Sequence, residues 1–127
     1  MAQRDLHGVR VDPDGTRTAI TIPAAKLREQ LRTEVGGHIE FAYYGTAASA
    51  VTAVVHETGM LDGLPVNGDA ETFVCHMRGG QLGYHLHGPI VFLGYDQSSR
   101  DVVDLTADQR GILNRLPAYG KGGASRG

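Results

Sequence analysis

The sequence predicts an α+β fold: a mostly antiparallel sheet with two or three helices packed on it, in a single domain over residues 1–117. Three observations carry this reading. Apolar residues alternate with a period of two in several short runs, and recur at helical spacing in others. The elements follow in the order β-β-α-β-β-α-β-α, and such alternation of hairpins with helices favours an antiparallel sheet over a doubly wound parallel one. The most apolar run, Ile90-Val91-Phe92-Leu93-Gly94-Tyr95, has strand length and reads as the central strand.

The elements are justified in order. Asp5 to Asp12 reads as a strand, and Asp12-Pro13-Asp14-Gly15 as a turn in which proline sets φ at the second position. Thr16 to Ile22 is rich in β-branched residues and completes a hairpin. Pro23 suits a first helical position, and Ala24, Leu27, Leu31 and Val35 then fall on one helical face. Gly36-Gly37 stops that helix. From His38 the period returns to two: Ile39, Phe41 and Tyr43 share a face, opposite His38, Glu40, Ala42 and Tyr44. Ala50 to Glu57 is the strand that pairs with it.

A junction follows, Gly59-Met60-Leu61-Asp62-Gly63-Leu64-Pro65-Val66-Asn67. Glycine lets the chain turn at Gly59 and Gly63, Pro65 disfavours helix at Leu64, and Asn67 or Asp69 caps the next helix. That helix presents Ala70, Phe73, Val74 and Met77 to the core and ends at Gly79-Gly80. Leu82 to His87 reads as a strand or an extended loop, broken by Gly88-Pro89. Thr106-Ala107-Asp108-Gln109 is a capping-box pattern that opens a last helix with Ile112, Leu113 and Leu116 inward, stopped by Pro117. Residues 118–127 read as a flexible Gly-rich tail.

Composition narrows the function. A chain of 127 residues is of single-domain size and buries roughly two-thirds of its unfolded surface, so it needs no staples. The 12 basic and 14 acidic side chains nearly cancel, which disfavours nucleic acid as the main partner. Cys75 is the single cysteine, and neither a signal-peptide segment nor an apolar run of membrane-spanning length is present. The expectation is a cytoplasmic protein with no membrane association.

Four stretches, Val35-Gly36-Gly37-His38-Ile39-Glu40, Leu61-Asp62-Gly63-Leu64-Pro65-Val66-Asn67, Gly88-Pro89-Ile90-Val91-Phe92-Leu93-Gly94 and Asp104-Leu105-Thr106-Ala107-Asp108-Gln109, stand in that order. The series resembles the successive motifs of an uncharacterised family of small proteins met in bacteria, plasmids and phages, over roughly residues 9 to 116. The resemblance implies an accessory protein without an assigned chemistry, so it transfers no catalytic residue. The chain departs from that pattern at Tyr84-His85-Leu86-His87 and at Gly68, where the family tends to carry a basic residue.

Histidine is the residue class best able to carry chemistry. In an extended segment His85 and His87 project from one face, where two imidazoles can share a metal, with Cys75-His76 nearby and Glu40 or His38 as a further ligand. The competing reading makes the two histidines polar-face residues and Cys75 a small buried hydrophobe; a closed zinc site needs four ligands and the spacing supplies a pair. No catalytic residue, metal or cofactor is therefore assigned. The candidate ligand surface is the junction, through Asp62, Leu64, Pro65 and Asn67, where it meets His38, Glu40, His85 and His87. The expected function is non-enzymatic binding of a host protein or a small polar, nucleotide-like ligand, in the service of countering host defence. The alternatives are a small His-dependent metal-binding hydrolase, which needs a third ligand beside His85 and His87, and a structural or assembly component that forms homo-oligomers.

Overall fold

The computed structural model describes residues 4–117, so the expected tail over 118–127 lies outside the described residues. Six strands and three α-helices form one α+β unit: β1 (Asp5–Val11), β2 (Arg17–Pro23), α1 (Leu27–Val35), β3 (Ile39–Thr46), β4 (Ser49–His56), α2 (Gly68–Arg78), β5 (Ile90–Asp96), β6 (Asp101–Val103) and α3 (Ala107–Arg115). The strand order is β2-β1-β5-β4-β3, with β6 added beside β5, and every pairing is antiparallel. Both predicted hairpins are present, with registers Val9↔Ala19 and Ala42↔Ala53.

The apolar run at 90–95 is the central strand. Alternation sends Ile90 and Phe92 to one face and Val91 and Leu93 to the other, and all four are fully buried. Two cores result. On one face Ala70, Phe73, Val74 and Met77 of α2 and Leu113 of α3 pack over Val9, Val11, Val51, Ala53, Ile90 and Phe92. On the other, Leu31 and Val35 of α1 pack over Leu6, Ile22, Val54, Val91 and Leu93. Helices thus cover both sides of the sheet, which is why this strand is apolar throughout instead of alternating.

Local rules account for the helix ends. Asn67 caps α2 by accepting from the Ala70 amide at 3.0 Å, and Thr106 and Gln109 form the reciprocal capping box of α3. Asp69, the other candidate cap, is buried with its carboxylate 3.9 Å from the Arg17 guanidinium. Arg17 also donates to the carbonyls of Leu113, Leu116 and Pro117, placing a cation at the C-terminal end of α3, where the peptide dipoles favour one.

One expectation is corrected, and three features are made definite. Pro23 does not open α1: its backbone is extended (φ −60°, ψ 126°), it closes β2 opposite Asp5, and a short 3-10 turn over Ala24–Lys26 precedes the helix. Proline's fixed φ suits either conformation, so the residue alone does not decide. Strand β6 was not foreseen, because three residues are too few for a period to show. Of the two readings of Leu82 to His87, strand or extended loop, the loop holds, with an isolated bridge Val66↔His87 at its end. The chain turns at both Gly59 and Gly63 as expected: Gly63 (φ 75°) is the left-handed turn residue, while Gly59 has no positive φ and a Cβ there would stand 3.3 Å from His87.

Candidate functional site

The junction between β4 and α2 is a compact loop held by its own backbone. The Asp62 amide donates to Thr58 at 2.8 Å and the Leu64 amide to Gly59 at 2.9 Å, while the Thr58 hydroxyl donates to Asp62 at 2.9 Å. A second loop, 84–87, lies against it. The Gly88 amide donates to the Pro65 carbonyl and the Asn67 amide to that of Leu86, at 2.8 and 2.7 Å. From α2, Glu71 accepts from the Leu86 amide at 2.9 Å and lies 3.1 Å from His85 Nδ1.

Between these loops and the adjoining ends of β3 and β4 is a cleft of about 280 Å³. Glu40, His85 and His87 line it, so three of the sequence-predicted residues are brought together. With them stand His56, Glu57, Met60 and Tyr84, which were outside the candidate set. The register explains the gathering: Ile39 pairs with His56 and Glu40 with Val55, and the Glu57 amide donates to the His38 carbonyl, so both glutamates reach the same end of the sheet.

The remaining predicted residues have other places. Asp62, Leu64 and Pro65 form the loop behind the cleft and do not line it, and His38 is exposed on the strand end beside it. Asn67 is fully buried: its amide nitrogen donates to Val11 and Gly88 at 2.8 and 2.9 Å while its oxygen caps α2. Its side chain is thus engaged with three parts of the fold.

Hydrogen bonding assigns the two inner imidazoles. A carbonyl only accepts, so His87 Nδ1, 2.9 Å from the Leu64 carbonyl, carries a hydrogen, and the neutral ring keeps Nε2 as acceptor. His56 is the reverse, because its Nδ1 accepts from the Thr58 amide at 3.2 Å, leaving Nε2–H directed toward the Asp62 carboxylate at 3.9 Å. The His85 and His87 rings stand edge to face at 6.4 Å. Among the described residues no three His, Cys, Asp or Glu side chains converge in a way that could hold a metal ion. His85 is engaged with Glu71, its Nδ1 3.1 Å from the carboxylate.

The lips of the cleft are apolar and exposed. Met60 and Tyr84, which line it, are 69% and 54% exposed, and Leu61, next to Met60 in the loop, is 82% exposed without lining the cleft. The Tyr84 hydroxyl lies 2.6 Å from that of Tyr44. Burial first, then the hydrogen bond and charge of Tyr84, push the Tyr44 hydroxyl well above the usual phenol range. A readable signal for the lips existed in Gly59-Met60-Leu61-Asp62-Gly63, where two large apolar residues sit between turn glycines with no partner strand or helix to bury them.

The fold and this cleft define a small antiparallel α+β domain with a polar, His-bearing recess edged by exposed apolar side chains. The chain belongs to the family described as Domain of unknown function (DUF3846), which matches residues 6–117. No curated protein and no solved structure matches it. Among the described residues no helix is long and apolar enough to cross a membrane.

Proposed function

We propose that the protein is a small non-enzymatic binding protein that captures a partner protein at this cleft, as an accessory factor of the phage or plasmid type acting against host defence. The observation that supports binding is the exposure of Met60 and Tyr84 at a recess that carries Glu40 and Glu57, with exposed Leu61 beside Met60 in the same loop. Large apolar side chains left exposed close together release water favourably on contact, and such patches mark interaction sites. The two carboxylates suit a basic side chain of the partner, with an apolar neighbour lying on Met60 and Leu61. The host-directed part of the reading rests on the motif series at Val35–Glu40, Leu61–Asn67 and Gly88–Gly94.

The test compares wild type with Leu61→Asp and Pro65→Gly. Leu61 is exposed, so the aspartate leaves the core intact while abolishing capture of the purified partner. Pro65→Gly relaxes the loop without removing a side-chain contact and weakens binding more than it lowers the melting temperature. Capture by Leu61→Asp equal to wild type would remove the cleft from the interface.

A further inference from the structure

A second concavity lies on the opposite side of the molecule, where the sheet face extends beyond the start of α1. With a volume of about 840 Å³ it falls within the range of roughly 300–1,000 Å³ typical of small-molecule sites. Its floor is apolar: Leu6, Leu27, Phe41 and Val102 contribute, and each belongs to or packs on the α1-side core. Tyr43 stands at one end, half exposed, with its ring 4.4 Å from that of Tyr95. Alternation places Tyr43, Phe41 and Tyr95 on this same face, so the flat surface is a direct product of the strand register.

The charges around the groove are unbalanced. Arg4, Arg28 and Arg100 line it against the single carboxylate of Asp101. Arg4 is paired with Asp104 at 3.0 Å. Among the described residues neither Arg28 nor Arg100 forms a salt bridge. The Arg28 guanidinium lies over the Phe41 ring, 5.2 Å from its centre, which holds it at the groove and leaves its N–H edge for another acceptor. Arg100 sits in the turn between β5 and β6 with φ of 60°, the one non-glycine positive φ among the described residues.

We infer that this groove binds a planar aromatic anion, its ring laid on Tyr43 and the apolar floor and its anionic group held by Arg28 and Arg100. Two free guanidiniums beside an apolar shelf match a ligand that is flat at one end and charged at the other. A second copy of the chain fits less well, because apposing two such rims brings arginine against arginine. Nucleoside monophosphates and aryl carboxylates share the required chemistry, and the test separates them.

Titration calorimetry uses adenosine 5′-monophosphate and indole-3-acetate as probes, with adenosine, indole and inorganic phosphate as their halves. At least one intact probe should bind saturably and roughly tenfold or more tightly than either half, since ring and anion are held together. The preferred probe tells which source the ligand comes from. Arg28→Gln combined with Arg100→Asn should weaken that binding by a further factor of about ten or more, and asparagine tolerates the left-handed backbone at position 100. Tyr43→Ala should weaken it without touching the charges. Absence of saturable binding, phosphate bound as tightly as the nucleotide, or affinity unchanged in the double variant at an unchanged melting temperature would each overturn the inference. So would a concentration-dependent dimer in sedimentation that Tyr43→Glu abolishes, since the groove would then be covered by a second copy.

Discussion

The Asn67 side-chain amide donates to the carbonyl of Val11, 56 positions earlier in the chain, at 2.8 Å. The same nitrogen donates to Gly88 and the side-chain oxygen accepts from Ala70, so one buried side chain ties β1, the segment leading into β5 and the start of α2 together. Asn67→Ala strips the cap and withdraws the donor from two carbonyls at once. Its expected cost is about 3–7 kcal/mol, from roughly 1 kcal/mol for a cap and 1–3 kcal/mol for each of the two buried carbonyls left unpaired. Asn67→Asp keeps the cap and loses the donors, so it should fall well short of wild type. Urea denaturation of the two variants checks both.

Phe73 is fully buried and meets Phe92 edge to face, with ring centres 4.7 Å apart. Emptying an aromatic core position costs about 3–5 kcal/mol, and Phe73→Ala should do so here. A loss under about 1 kcal/mol on chemical denaturation would mean that α2 does not pack on the sheet as described.

These two residues also show what was legible. Phe73 stands at the centre of a helical apolar stripe, so periodicity alone placed it in the core. Asn67 was readable as a cap, because capping is a local rule; its bonds to Val11 and Gly88 depend on how distant strands meet, which no local pattern encodes. The same division runs through the cleft. Glu40, His85 and His87 were named from their proximity to the junction, but the arrival of His56 and Glu57 needed the β3–β4 register. The Arg28–Arg100 groove needed the pairing of β5 with β6, and β6 is too short to announce itself.

Tyr44 gives the fold an alkaline limit. Its folded-state pKa is raised above the unfolded value, chiefly by burial and then by Tyr84. The stability this contributes is fully present below the ordinary phenol pKa and is lost as pH rises from there toward the folded value, because the unfolded chain releases the proton first. Absorbance titration should show a tyrosine step above the ordinary phenol range, and Tyr44→Phe should remove that step. Tyr84→Phe should bring the step to lower pH while leaving it above the ordinary range, since burial remains.

Glu71 orients the 84–87 loop through the Leu86 amide and His85, and is largely buried while doing so. Glu71→Gln keeps the shape and weakens a charge-assisted bond, for an expected loss of about 1–2 kcal/mol. Hydrogen exchange should locate the effect: the Leu86 amide exchanges faster in the variant, with β5 unchanged. Equal protection at Leu86 would detach the loop's conformation from α2.

The central claim is that the cleft edged by Met60 and Tyr84, with exposed Leu61 beside it, receives a partner protein. A photo-crosslinking amino acid placed in turn at position 60, at position 84 and at exposed Thr33 on α1 tests it most directly in host cells. The account predicts one and the same partner joined from positions 60 and 84, none from position 33, and loss of both adducts when Leu61→Asp is added. Adducts of equal yield from all three positions, or adducts from 60 and 84 that survive Leu61→Asp, would contradict it.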